Sequence, residues 1–168
     1  MDTMARVKRP IALLLLVALP LIAHAETITT AIVVRHADRA NITQNSPLSG
    51  LGLARAAELA RVLASVKLDA IYATQYVRTQ QTVAPTAKEK GLTPVIFEAG
   101  REAALAADVR EHHAGGTVLI ASHSDRIPEL LRQLGVVDPP SLSMTEYDDL
   151  FIVTNGKLLT LRYGATAR

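Results

Sequence analysis

Short β-branched apolar runs alternate with helix-period segments along nearly the whole chain, and this alternation limits the folds open to it. Residues 28–34 (ITTAIVV) form a continuous apolar run of the kind buried on both faces of a sheet. Residues 48–66 then separate Leu51, Leu59, Val62 and Leu63 from Arg55 and Glu58 with helical spacing. Residues 69–74 predict a second strand and 77–90 a second helix, with Pro85 expected to kink that helix or end it early and Gly91 to stop it. A third strand at 94–97, a third helix at 102–112 and a fourth strand at 117–121 continue the pattern. A helix at 127–134 closes on Gly135. Two final apolar runs, 150–153 and 158–161, flank Asn155-Gly156, the strongest short hairpin signal. The order β-α-β-α-β-α-β-α-β-β implies an α/β class chain, a three-layer α/β/α sandwich with a mainly parallel sheet.

The first 25 residues do not fit this pattern. Arg6, Lys8 and Arg9 precede an apolar run from Ile11 to Ala23, and Ala23-His24-Ala25 supplies a small-x-small cleavage signal. The run is shorter than the roughly 20 residues that cross a bilayer, and it contains Pro20. Residues 1–25 are therefore expected to be a signal peptide, with one domain at 26–168 and no stable membrane anchor after cleavage. The expected location is periplasmic or secreted. The leader holds three of the 18 basic residues and one of the 16 acidic ones, leaving the remainder formally neutral. With no basic run and only 4% aromatic residues, no nucleic-acid partner is implied. The absence of cysteine excludes disulfides, so the domain rests on its core.

In open parallel sheets, ligands gather at the carboxyl ends of the strands. Arg35-His36 follows the first predicted strand. Arg78 lies four residues beyond the second strand's Thr74, Glu98 follows the third, and Ser122-His123-Ser124-Asp125 follows the fourth. Arginine recognises phosphate oxygens through paired hydrogen bonds, imidazole can act as a nucleophile, and a carboxyl group can protonate a leaving oxygen. Arg78 falls in a first helical turn, where a cation opposes the helix dipole unless a bound anion shares the site. Adjacent His112 and His113 point in different directions from a helix end and are not expected to share a metal.

Several segments resemble the histidine phosphatase superfamily, which includes the phosphoglycerate mutases. Val33-Val34-Arg35-His36-Ala37 is similar to its Arg-His-Gly signature, with Ala37 at the glycine position. Residues 48–60 (LSGLGLARAAELA) resemble its first helix, 69–85 (DAIYATQYVRTQQTVAP) the segment carrying its second arginine, and 118–131 (VLIASHSDRIPELL) the one carrying its second histidine. Residues 148–151 and 162–164 resemble small exported members.

The resemblance implies a phosphatase of phosphoglycerate mutase-like fold. His36 would carry the phosphoryl group, Arg35, Arg78 and His123 would bind the phosphate, and no metal or other cofactor would be used. For the proton donor it points first to Glu98, with Asp125, Asp38 and Glu102 as alternatives. The expected partner is a small-molecule phosphate ester or a phosphorylated envelope component. A protein phosphohistidine phosphatase and a non-catalytic phosphate- or sugar-phosphate-binding module stand as alternative readings. Glycolytic mutase activity fits poorly with an exported chain that lacks long insertions.

Overall fold

A computed structural model describes residues 29–164; the expected leader and its cleavage site after Ala25 lie outside them. The elements are β1 (Thr30–Arg35), α1 (Gly50–Val62), β2 (Ala70–Thr74), α2 (Val77–Lys90), β3 (Val95–Phe97), α3 (Glu102–His112), β4 (Thr117–Ser122), α4 (Ile127–Gln133), β5 (Asp149–Thr154) and β6 (Lys157–Arg162). They form one six-stranded sheet in the order β3-β2-β4-β1-β5-β6. The first four of these strands run parallel, and β5 and β6 pair antiparallel at one side.

Side-chain alternation along the central strands builds a core on each face. Ala31 and Val33 of β1, Val118 and Ile120 of β4 and Tyr72 of β2 join Leu105, Val109, Leu130 and Leu131 from α3 and α4. Ile32 and Val34, Leu119 and Ala121, and Ile71 and Ala73 face the other way, onto Leu59 of α1 and Val83 and Ala87 of α2. Burial on both faces explains why these strands read as unbroken apolar runs rather than alternating ones.

Two local expectations change. The helix read as 48–66 is narrower: Ser49 caps it by accepting from the Gly52 N–H, and after Val62 the chain tightens into turns, with Ala64 N–H bonded to Arg61 O and Val66 N–H to Leu63 O. Pro85 does not end α2, which runs on to Lys90 and stops at Gly91 in the left-handed conformation. Burial of Thr82, Val83, Thr86 and Ala87 on either side of the proline anchors both halves of the helix, offsetting the one hydrogen bond that its missing N–H costs. The closing hairpin forms as expected. Asn155 and Gly156 both have positive φ, and a side chain at Gly156 would meet the Gly135 carbonyl oxygen at 2.6 Å.

The topology makes one crevice. Strands β1 and β4 are neighbours, yet the helix after β1 packs on one face of the sheet and the helix after β4 on the other. Their carboxyl ends therefore diverge at a topological switch point, where α/β sheets bind ligands.

Candidate active site

Strand register brings the two histidines together. Arg35 of β1 pairs with Ser122 of β4, and the His36 N–H continues the ladder to Ser122 O at 2.9 Å. His36 and His123, each one residue past that pair, end with ring centroids 5.3 Å apart. Both are buried, and they share a cavity of about 380 Å³ with Arg35 and Arg78.

The hydrogen bonds of His36 define its tautomer. Its Nδ1 lies 2.8 Å from the carbonyl oxygen of Ala37; a carbonyl only accepts, so Nδ1 carries the proton and the Nε2 lone pair is free. Burial, opposed by the Ala37 bond and reinforced by Arg78, His123 and Arg35, pushes the His36 pKa down to about 3. The ring is thus neutral and nucleophilic across ordinary pH. Ala37, which has no exposed surface, donates its N–H to Thr82 Oγ1 at 2.8 Å and so ties the loop after His36 to α2. Its φ is not positive, so alanine fits where the family signature has glycine.

His123 is oriented from both sides. Arg78 Nη2 donates to its Nδ1 at 3.2 Å, while its Nε2 lies 3.0 Å from Thr74 Oγ1. Thr79 hydroxyl donates to Tyr76 O at 2.8 Å and stands 2.8 Å from Thr74 Oγ1, extending the chain of bonds. Burial, then Arg78, lowers the His123 pKa to about 4.

The two arginines are held but not saturated. Arg35 gives Nη1 to the carbonyls of Ser143 and Glu146 and Nη2 to that of Met144, at 2.7–3.0 Å, and the Tyr147 ring stacks 3.9 Å from its guanidinium carbon. Arg78 gives Nη1 to Gln44 O at 2.6 Å and packs on Tyr76. In both residues Nε is buried without a partner. Unmet buried donors are costly; guanidinium groups lining a pocket are of the kind that binds phosphate oxygens through paired, charge-assisted hydrogen bonds. Burial is the main influence lowering both guanidinium pKa values; a guanidinium nonetheless stays charged.

The candidate proton donors separate. Glu98 is not brought to the histidines: it lines a different cavity, with Tyr72, Phe97 and Asp108 on the α3 side. Alternation beyond β3 turns the next residue, Ala99, toward the histidine pocket instead. Asp38 is committed to a buried ion pair with Arg55 at 2.7 Å. Glu102 is buried and accepts from the Gly100 N–H. Among the described residues lining the pocket, only Asp125 is a carboxylate; it is exposed and lies 3.3 Å from Arg126 Nε.

His112 and His113 stay apart from the site. The first pairs with Asp108 and the second packs edge-on against Tyr72. Among the described residues, no group of three or more His, Cys, Asp or Glu is placed to hold a metal ion, and no helix is long and apolar enough to cross a membrane.

Sequence reasoning missed Arg39, Tyr76, Met144 and Tyr147. Tyr76 sits two residues past β2, so the strand-end rule could have found it. Tyr147 needs the sheet order: β5 runs antiparallel beside β1, so the residues before β5 arrive where β1 ends. There its ring centroid lies 5.8 Å from that of His36.

Comparison with known proteins agrees with this fold. A family model described as the histidine phosphatase superfamily, branch 1, matches residues 19–105, a span that holds Arg35, His36 and Arg78 and ends before His123. A search of curated proteins found no match. Among solved structures, the protein histidine phosphatase SixA complexed with tungstate superposes with a TM-score of 0.65 at 19% identity, over 80% of this chain and 95% of that one. A mycobacterial glucosyl-3-phosphoglycerate phosphatase gives 0.64 at 14%, over 76% and 90%. The phosphoserine phosphatase of Entamoeba histolytica in complex with 3-phosphoglyceric acid gives 0.59 at 15%, over 83% and 98%. These likenesses establish the fold. The family model covers just over half of the chain, and with it the chain belongs to the histidine phosphatase superfamily, branch 1.

Proposed function

We propose that the protein is a phosphatase that hydrolyses phosphomonoesters outside the cytoplasm through a phosphohistidine on His36. One observation carries this reading: a buried, neutral imidazole with its Nδ1 proton committed to Ala37 O opens onto a pocket lined by arginines. In the first step His36 Nε2 attacks phosphorus, the ester P–O bond breaks, and the leaving oxygen takes a proton. Asp125 is the pocket's own carboxyl for that transfer. In the second step water attacks the phosphohistidine and gives its proton to the same carboxylate. The P–N bond breaks, and inorganic phosphate and neutral His36 are released.

Arg35, Arg78 and His123 stabilise the charge that gathers on the phosphoryl oxygens, usually the largest single contribution in such sites. The arginines supply the positive charge, so the reaction is assigned no metal and no cofactor. Location outside the cytoplasm rests on the leader pattern of residues 1–25. That pattern also weighs against a protein phosphohistidine phosphatase serving a cytoplasmic relay. A binding-only module has no need of a histidine held as a nucleophile.

Turnover of p-nitrophenyl phosphate by the purified protein, wild type beside His36→Ala and with or without EDTA, tests the proposal. Activity that survives the chelator and vanishes in the variant is expected. Strong inhibition by EDTA contradicts metal independence, and substantial turnover by the variant removes His36 from the chemistry.

A further inference from the structure

The pocket is more positive than one phosphate requires. Among the described residues, four arginines line it, Arg35, Arg39, Arg78 and Arg126, against the single carboxylate of Asp125, and both histidines are neutral. Arg35 and Arg78 balance a phosphate dianion. Arg126 has Asp125 at 3.3 Å. Asp38, the acid next to Arg39 in sequence, is held by Arg55 at 2.7 Å. Among the described residues, Arg39 has neither an ion pair nor a side-chain hydrogen bond.

Although its side chain is exposed, its backbone is fixed. Arg39 forms an antiparallel bridge with Leu48, the following Ala40 N–H bonds to Pro47 O at 2.8 Å, and the preceding Asp38 O accepts from Ser49 at 2.8 Å. Gly52 lets α1 press against the same segment: a Cβ there would lie 2.1 Å from Asp38 O. An unpaired cation on a rigid mount beside a phosphate pocket is placed for recognition rather than left on a solvated loop.

We infer that Arg39 holds a second anionic group of the substrate, so that preferred substrates are phosphomonoesters bearing a further carboxylate or phosphate. This deepens the phosphatase reading and rests on it. Among the described residues lining the pocket the one carboxylate is Asp125, and Arg126 lies 3.3 Å from it. Arg39 is thus a specificity residue for the substrate's remote end, while the phosphoryl group stays with Arg35 and Arg78.

The test compares kcat/KM in two matched series: phenyl phosphate against its ortho-, meta- and para-carboxyl derivatives, and propyl phosphate against propane-1,3-diol bisphosphate. The readout is the ratio within each series, so a general effect on catalysis cancels. Wild type is expected to favour a doubly anionic member of at least one series by about 10–100-fold, the scale of a charge-assisted hydrogen bond. In Arg39→Gln that ratio should collapse toward one, and in Arg39→Lys it should be partly kept. The arm with the larger wild-type ratio tells carboxylate from phosphate recognition. A wild-type ratio near one in both arms, or a ratio preserved in Arg39→Gln, overturns the inference while leaving the phosphatase intact. No turnover of any ester by wild type overturns the phosphatase reading and this inference together.

Discussion

The inner wall of the pocket and its outer rim are built by different means. On the inner wall, Arg35, His36 and His123 are each about 95% buried. They are set by the register of two parallel central strands, Arg35 paired with Ser122 and the two histidines one residue past that pair. On the rim, Arg39, Asp125, Arg126 and Met144 are exposed and come from loops. A displacement of the wall would require the sheet itself to shift, whereas the rim can change residue by residue without touching the core. Under the proposed function, the phosphoryl chemistry falls to the wall and the choice of leaving group to the rim.

Removing the rim carboxyl should sharpen that contrast most. Asp125→Asn is expected to slow alkyl phosphates by about 10²–10⁴-fold, the usual range for a general acid. An aryl phosphate whose leaving group needs little protonation should slow by under tenfold. Steady-state kinetics on both esters checks this, and equal slowing of the two would move Asp125 from chemistry to binding.

On the wall, Arg78→Ala should lower kcat by about 10²–10³-fold for every ester. Its melting temperature should hold or rise, because the variant removes a desolvated charge whose Nε has no partner. A large fall in melting temperature would mean that Arg78 serves the fold first.

Acid should attack the wall before the rim. His36 has a folded pKa of about 3 against about 6.5 when unfolded. Between those values the unfolded chain binds the extra proton, so stability falls as pH drops through this window and is complete above it. From pH 7 to pH 4 His36 alone should contribute a loss of about 3 kcal/mol, with His123 adding to it through its pKa of about 4. Urea unfolding at several pH values should show a shallower acid decline in His36→Asn than in wild type.

The mount that joins wall to rim is the last place to probe. Gly52→Ala would put a methyl group 2.1 Å from the Asp38 carbonyl oxygen and should cost about 1–3 kcal/mol, as overpacking does. Thermal unfolding measures it. An unchanged melting temperature would mean that α1 and the 38–40 segment separate freely.

The same division explains what the sequence disclosed. Arg35, His36, Arg78 and His123 were legible because they follow strands whose apolar runs are unmistakable, and a parallel sheet collects strand ends at one edge. Glu98 follows the same rule yet faces elsewhere. The rule identifies the edge, but alternation chooses the face, and a three-residue edge strand leaves that choice open. Tyr147 was hidden for a different reason: its place depends on β5 running antiparallel beside β1, and pairing order is a long-range property that local patterns do not encode. The early end that Pro85 offered as one alternative does not occur, because its propensity is local while the burial that overrides it is tertiary.

Trapping the phosphoenzyme tests the chemistry proposed for His36 most directly. The protein is mixed with a phosphomonoester labelled on phosphorus, quenched in alkali during turnover and mapped by peptide mass. One acid-labile, alkali-stable phosphoryl group is expected on the peptide containing His36, absent from His36→Ala. A label on another residue, or burst kinetics with none on His36, would contradict that chemistry.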